Sequence, residues 1–102
     1  MSIKRKEAKV NKATIIRVDG THEEMECRPT LAEAQRIVGG NIRLVKVGGG
    51  ITLVVDGEGK LKGQTVNGII TRVYGPRVYG GVIVGDVIVL EGWQTVGADK
   101  IE

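Results

Sequence analysis

The chain of 102 residues is 41% hydrophobic and 26% charged, which suits a single modest core and is too short for two domains. Its net charge of +3 comes from the N-terminus: residues 1–12 hold five Lys or Arg and one Glu, which leaves ten basic and eleven acidic residues in the rest. The single cysteine excludes an internal disulfide.

Three regions are distinguished by charge and apolar pattern. We interpret residues 1–12 as a flexible basic tail, 13–93 as a single domain and 94–102 as a polar C-terminal tail. Alternatively, the first tail is an arm that binds nucleic acid through the basic side chains of Lys4, Arg5, Lys6, Lys9 and Lys12. Because no apolar run has the length of a signal peptide or a membrane span, we expect a cytoplasmic protein.

The first third of the chain predicts two strands. Residues 13–18 (ATIIRV) are mostly β-branched and apolar, and the Asp-Gly pair at 19–20 predicts a turn after them. In residues 22–28 (HEEMECR), Met25 and Cys27 lie two apart among charged neighbours, which indicates a half-exposed second strand. We expect Cys27 to pack at the edge of that strand.

A helix and a hairpin follow. Thr30 and Glu33 match a capping box, apolar residues recur at helical spacing, and a glycine pair at 39–40 ends the pattern. Residues 41–47 (NIRLVKV) and 51–55 (ITLVV) flank three glycines, and we expect them to pair as an antiparallel hairpin.

The last third is more ambiguous. Residues 66–74 (VNGIITRVY) fit a helix or a strand, and we favour a short helix. Residues 80–90 (GGVIVGDVIVL) predict β structure, either one strand bulged at Gly85-Asp86 or a hairpin that turns there. The irregular order of elements favours an α+β fold, a mostly antiparallel sheet with one or two short helices packed on one face.

Residues suited to catalysis are scarce. His22 and Cys27 lie five apart, so a regular strand would place them on opposite faces. The acidic group of His22, Glu23, Glu24 and Glu26 could hold a divalent cation, but a solvated strand edge is the favoured interpretation. We therefore expect no enzyme activity, no metal and no cofactor.

Two segments carry candidate binding residues. In the glycine-spaced loop 56–67, Lys60 and Lys62 accompany backbone N–H groups that could accept a phosphate or a carboxylate, but a plain turn with hydrated lysines is the favoured interpretation. The duplication RVYGPRVYG places Arg72, Tyr74, Arg77 and Tyr79 around a Gly-Pro turn, either as donors and stacking faces or as side chains that cover the edge of the core.

A set of motifs lies within residues 14–90: Val38-Gly39-Gly40 before a predicted strand, then Asp56, Glu58, Gly59, Lys60, Leu61 and Gly63, and then Asn67. These motifs resemble those of a family of small uncharacterised proteins found mainly in bacteriophages and actinobacteria. The resemblance implies a phage or mobile-element accessory protein, and it implies no activity.

Together these features predict a non-enzymatic binding module, such as a counter-defence or host-takeover protein that blocks a host macromolecule or sequesters a small anionic ligand such as a nucleotide. Its expected binding residues are Lys60, Lys62, Asn67, Arg72, Tyr74, Arg77 and Tyr79. They form one cationic patch if loop 56–67 and turn 72–79 lie at the same end of the sheet. The alternative is a nucleic-acid-binding accessory protein that uses the basic tail, and either is compatible with a homo-oligomer.

Overall fold

The computed structural model describes residues 11–78, 80–93 and 96. In chain order its elements are strands β1 (Lys12–Ile16) and β2 (His22–Met25), helix α1 (Leu31–Val38), strands β3 (Ile42–Gly48) and β4 (Ile51–Asp56), helix α2 (Gly68–Tyr74), a 3₁₀ turn (Gly75–Arg77) and strand β5 (Val87–Glu91). The strands form one antiparallel sheet in the order β2-β1-β5-β4-β3. The predicted α+β fold is confirmed, and β5, the last strand in the described residues, is the central one.

The two helices lie on opposite faces of this sheet, which corrects the expectation that both pack on one face. Alternation along β5 explains the arrangement, because Ile88 and Leu90 pack with α1 whereas Val87 and Val89 pack with Ile70 of α2. Since β5 is apolar on both faces, each face needs its own cover. We refer to them as the α1 face and the α2 face.

Helix α1 begins and ends where its capping residues predict. The Thr30 hydroxyl accepts a hydrogen bond from Glu33 N at 3.1 Å, and the Thr30 N–H donates to Glu33 Oε1 at 2.9 Å. Gly39 ends the helix at a φ of 94°, a conformation that favours glycine. Ala34 and Val38 are buried against the sheet.

The first hairpin has shorter strands than predicted. β1 starts at Lys12, which pairs with Glu91 of β5, so residue 12 belongs to the sheet and not to the predicted tail. β2 ends at Met25, and Cys27 is exposed beyond it instead of packing at the strand edge. The Asp-Gly turn is present, with Asp19 Oδ1 accepting from Thr21 N at 2.9 Å.

The second hairpin is confirmed, with β3 and β4 antiparallel from Ile42 opposite Asp56 to Gly48 opposite Ile51. Val47 has no partner across the ladder, because the register shifts between Lys46 and Gly48. The three turn glycines, residues 48–50, all have positive φ.

The favoured helix over residues 66–74 is confirmed as α2, and Asn67 explains its position. The Asn67 amide is fully buried; its oxygen accepts from Ile70 N at 3.2 Å, and its nitrogen donates to the carbonyls of Ile16 at 3.0 Å and Gly85 at 2.9 Å. One side chain thus caps α2 and joins it to β1 and to the segment before β5.

Residues 80–86 are not the continuous β segment that was predicted. Val84 makes only an isolated bridge with Val66, and Gly85, at a φ of 82°, separates it from β5. Instead, the Thr71 hydroxyl donates to Ile83 O at 3.1 Å and accepts from Ile83 N at 3.0 Å. The helix side chain takes the place of a strand neighbour.

The C-terminal boundary also moves. Val96, placed in the predicted polar tail, is 3% exposed and joins the core under α1, with Trp93 packed beside it. Apolar burial therefore continues past residue 93.

Asn67→Ala should lower the free energy of unfolding by about 3 kcal/mol. The substitution leaves the backbone carbonyls of Ile16 and Gly85 without this hydrogen-bond donor, and it removes the cap of α2. Urea denaturation measures the change. Asn41→Ala is the matched control: Asn41 is exposed, and its substitution should alter stability by less than about 0.5 kcal/mol. Equal effects of the two substitutions would contradict the role given to Asn67.

Candidate functional site

The candidate site depends on the carboxylate of Asp56, the last residue of β4. Its side chain is 1% exposed, and both of its oxygens accept hydrogen bonds from polar groups of the protein. Lys62 Nζ lies 2.7 Å from Oδ2, Gln64 Nε2 donates to the same oxygen at 2.9 Å, and Glu58 N donates to Oδ1 at 2.8 Å. We call these groups the Asp56 network, and residues 57–64, which they fold, the cleft loop.

Lys62 links the Asp56 network to the end of helix α1. Its ammonium also donates to the carbonyl of Gly39 at 3.0 Å, so it binds the C-terminal end of α1 as well as the carboxylate. A Cβ atom at Gly40 would lie 2.5 Å from Lys62 Nζ and 3.0 Å from Asp56 Oδ2. The Val-Gly-Gly sequence after α1 thereby makes room for the ion pair, which lies on the α1 face.

Most backbone N–H groups of the cleft loop are hydrogen-bonded within the protein. The less favoured alternative, that its N–H groups are free to cradle an anion, is wrong for six of them, because each bonds to an oxygen of the protein: residues 57, 58, 59, 62, 63 and 64. Gly59 and Gly85 leave space for the Gln64 side-chain oxygen, which a Cβ atom at either position would contact closely. The loop is therefore a folded wall rather than an open nest.

An apolar cleft of about 140 Å³ opens on the α2 face beside this loop. Strands β3 and β4 supply Val45, Leu53 and Val55. The opposite wall comes from residues 78 and 82–84, and the cleft loop closes the end with Gly57, Lys60 and Leu61. Leu61 is 89% exposed and Val82 38%, so the rim itself is apolar.

Two cations border the cleft, Arg43 from β3 and Lys60 from the cleft loop. Asp56 also lines it, but its carboxylate is held by Lys62 on the other face of the sheet. Among the described residues, no ion pair involves Arg43 or Lys60. The cleft therefore combines an apolar lining with two positive charges that are free to meet an anion.

The predicted patch is only partly assembled. The loop and the turn do meet, since a Cβ atom at Gly80 would lie 3.2 Å from Lys60 Nζ. Lys62 faces the other way, however, and Arg77 Nη1 donates to Val47 O at 3.3 Å, near the hairpin turn. Arg43 and Val47 are four residues apart on β3, so the carbonyl that Arg77 binds lies about 13 Å along the strand from Arg43.

The remaining predicted binding residues lie away from the cleft or have other partners. Asn67 has its amide fully bonded inside the protein, Tyr74 is half-buried against the core of the α2 face, and Arg72 is exposed on α2. Tyr79 is outside the described residues. The interpretation of Tyr74 as cover for the core edge fits this geometry.

The structure describes Lys12 of the predicted basic tail and the acidic residues in and after β2. Of the basic tail residues, Lys12 lies 3.1 Å from Glu24 Oε2, and the hydrogen bond and charge of Glu24 raise the pKa of Lys12. Lys4, Arg5, Lys6 and Lys9 are outside the described residues. Glu23 pairs with Arg17 at 3.0 Å, so the two glutamates bind separate cations on opposite faces of β2.

Sequence reasoning missed Arg43, Leu61 and the valines of residues 82–84. Arg43 alternates with the apolar residues Ile42 and Leu44, a pattern typical of a solvated strand residue. Leu61 gave a signal, because a leucine between two lysines in a polar loop has no predicted core to enter. The path of residues 78–84 over the α2 face had no comparable signal.

The Asp56 network also determines a pH dependence. The hydrogen bond from Lys62, with those from Glu58 N and Gln64, lowers the pKa of Asp56 against the opposing effect of burial. Because the folded pKa is below the ordinary value of about 3.9, this stabilisation is present above that value and is lost as the pH falls through it towards the folded pKa.

Asp56→Asn should therefore lower the free energy of unfolding by about 2 kcal/mol at pH 7 and make its decline below about pH 4 shallower. Urea denaturation at a series of pH values measures both effects. Glu58→Gln removes the same charge two residues away and should keep the decline of the parent. An Asp56→Asn protein with the parent's acid profile would show that the network does not supply this stability.

Comparison with known proteins identifies a family. The model described as "Domain of unknown function (DUF3846)" matches residues 11–99, a longer range than the motifs of residues 14–90 indicated. No curated protein and no solved structure matches the chain. The matched range begins just before β1 and includes Asp56, Lys62 and the cleft. The chain belongs to the family of proteins that contain this domain of unknown function.

Proposed function

We propose that this protein is a non-enzymatic binding module that captures an anionic partner at the cleft. The observation that carries the proposal is the apolar cleft bordered by Arg43 and Lys60. Among the described residues that line it, the one carboxylate is that of Asp56, which Lys62 binds on the other face of the sheet. An apolar group of the partner would be buried in the cleft, and acidic groups beside it would meet the two cations.

The size of the cleft favours a protein partner over a nucleotide. Sites for small molecules usually enclose at least about 300 Å³, whereas this cleft encloses about 140 Å³. One apolar side chain fills such a space, with Leu61 and Val82 as additional contacts at the rim. Exposed apolar rims of this kind are typical of interaction surfaces.

The biological setting is part of the same proposal. The resemblance to small proteins of phages and actinobacteria supports an accessory role in a phage or mobile element, in the bacterial cytoplasm. The partner would then be a host macromolecule that the module blocks or sequesters, as in counter-defence or host takeover. Among the described residues, no helix has the length and apolar character needed to cross a membrane.

Lys60→Glu and Leu61→Asp should each reduce partner capture at least fivefold without unfolding the protein, since both side chains are exposed. Immobilised parent and variants are incubated with host lysate, and the bound proteins and small molecules are quantified by mass spectrometry. Circular dichroism confirms that the variants are folded.

Matched controls are available away from the cleft. Arg36→Glu on α1 and Val18→Asp after β1 introduce similar changes at exposed positions and should capture as the parent does. Full capture by the two cleft variants would refute the cleft as the site. Capture of nucleic acid that is lost only when residues 1–10 are removed would instead support the basic tail.

A further inference from the structure

A second surface feature lies beside the cleft: the outer edge of strand β3. Among the described residues, β3 is the outermost strand at this end of the sheet, and it pairs with β4 along one side only. Alternate residues of such a strand present unpaired N–H and C=O groups outward. On the described part of the chain, the one side-chain bond to the backbone of β3 is that of Arg77 to Val47 O, at the bulge. Residues 42–46 therefore form a regular edge with no strand beside it in the part of the chain that the structure describes.

The opposite edge of the sheet differs. β2 has four residues, and two of them, Glu23 and Glu24, have cationic partners from β1 and the residue after it. β3 carries Arg43 and Lys46 and no acidic residue. It is thus the longer and the more basic of the two edges.

Side chains along residues 43–46 alternate in a definite order. Arg43 and Val45 oppose Val55 and Leu53, which places them on the α2 face, where both line the cleft. Leu44 and Lys46 lie on the α1 face, where Leu44 remains 37% exposed. Read along the strand, the edge is basic, apolar, apolar, basic.

We propose that β3 accepts an extended segment of the partner as a sixth strand, and that this segment has the pattern acidic-apolar-apolar-acidic. Its acidic residues would lie opposite Arg43 and Lys46, and its apolar residues opposite Leu44 and Val45. The residue opposite Val45 enters the mouth of the cleft, while its neighbour covers the exposed Leu44. Because the pattern reads the same in both directions, it suits a parallel or an antiparallel segment.

A second copy of this chain is the less suitable occupant. Antiparallel pairing of two β3 strands would bring two Arg43 and two Lys46 side chains together along one short strip. Like charges in neighbouring cross-strand positions destabilise pairing. The same charges favour an acidic segment.

This inference rests on the proposed function and names the partner's chemistry. The probe is the acetylated and amidated peptide TTEVVETT, titrated into ¹⁵N-labelled full-length protein at low salt. The control peptide TTVEEVTT has the same composition and charge with the central order inverted. We expect the first peptide to slow hydrogen exchange at amides of residues 42–46 and to bind at least tenfold more tightly than the second.

Lys46→Glu separates strand addition from occupation of the cleft alone, because Lys46 lies on the face opposite the cleft. Strand addition predicts that this variant binds TTEVVETT about tenfold more weakly, whereas Arg36→Glu binds as the parent does. Raised salt should weaken the parent's binding.

Three results would overturn the inference: no binding of TTEVVETT, equal binding of both peptides, or binding unaffected by Lys46→Glu. If lysate capture still depends on Lys60 and Leu61 in any of these cases, the proposed function stands and only strand addition fails. Protection of residues 42–46 that is insensitive to Lys60→Glu and Leu61→Asp would support the edge and remove the cleft. A dimer of the parent in sedimentation analysis whose β3 amides are protected without peptide would assign the edge to a second copy.

Discussion

A buried carboxylate needs partners, and the carboxylate of Asp56 determines the shape of the loop beside it. Asp56 ends β4 on the α1 face, under the end of α1, where its side chain is almost fully removed from water. An ionised group there is tolerated only when it is paired and hydrogen-bonded. Lys62, Gln64 and the N–H of Glu58 meet this need, and all three come from the ten residues that follow the strand. The chain after β4 must therefore turn back on itself at once.

That turn sorts the loop's side chains between the two faces of the sheet. Lys62 is drawn to the α1 face by the carboxylate and by Gly39 O. Lys60 and Leu61 remain on the other side, where they line the cleft. Lys60 and Lys62, two residues apart, thus have different roles: Lys62 stabilises the fold, and Lys60 takes part in the proposed binding. Of these two lysines, Lys60 is therefore the one whose charge is available to a partner at the cleft.

The opposite wall of the cleft follows from the order of the strands. β5 enters the centre of the sheet between β1 and β4, so the chain must cross the α2 face from α2 to reach it. Asn67 and Thr71 hold that crossing through Gly85 O and both backbone groups of Ile83. Gly75 permits the start of the crossing, because a Cβ atom there would lie 2.6 Å from Gly81 O. The cleft is the gap between this crossing and β3 and β4.

Local signals in the sequence predicted much of the fold but little of the site. The capping box of Thr30, the three-glycine hairpin and the helix after Asn67 were predicted because each depends on neighbouring residues. Residues 80–86 were predicted wrongly, since their alternating valines match a strand, whereas contacts with Thr71 and Val66 determine their path. The pairing of Lys62 with Asp56 and the position of Arg43 at the cleft depend on the meeting of α1, β3 and the cleft loop. These are contacts between segments that are distant in the sequence, so composition and spacing do not predict them.

We infer that the Asp56 network holds the cleft loop, and with it Lys60 and Leu61, in a single conformation. The test is ¹⁵N relaxation of residues 57–64 in the parent and in Lys62→Met, because methionine keeps the length of the side chain and removes the ammonium. We expect order parameters near 0.85 in the parent, as in the strands, and values below about 0.6 in the variant. Equal order parameters in the two proteins, with β3 and β4 unchanged, would contradict it.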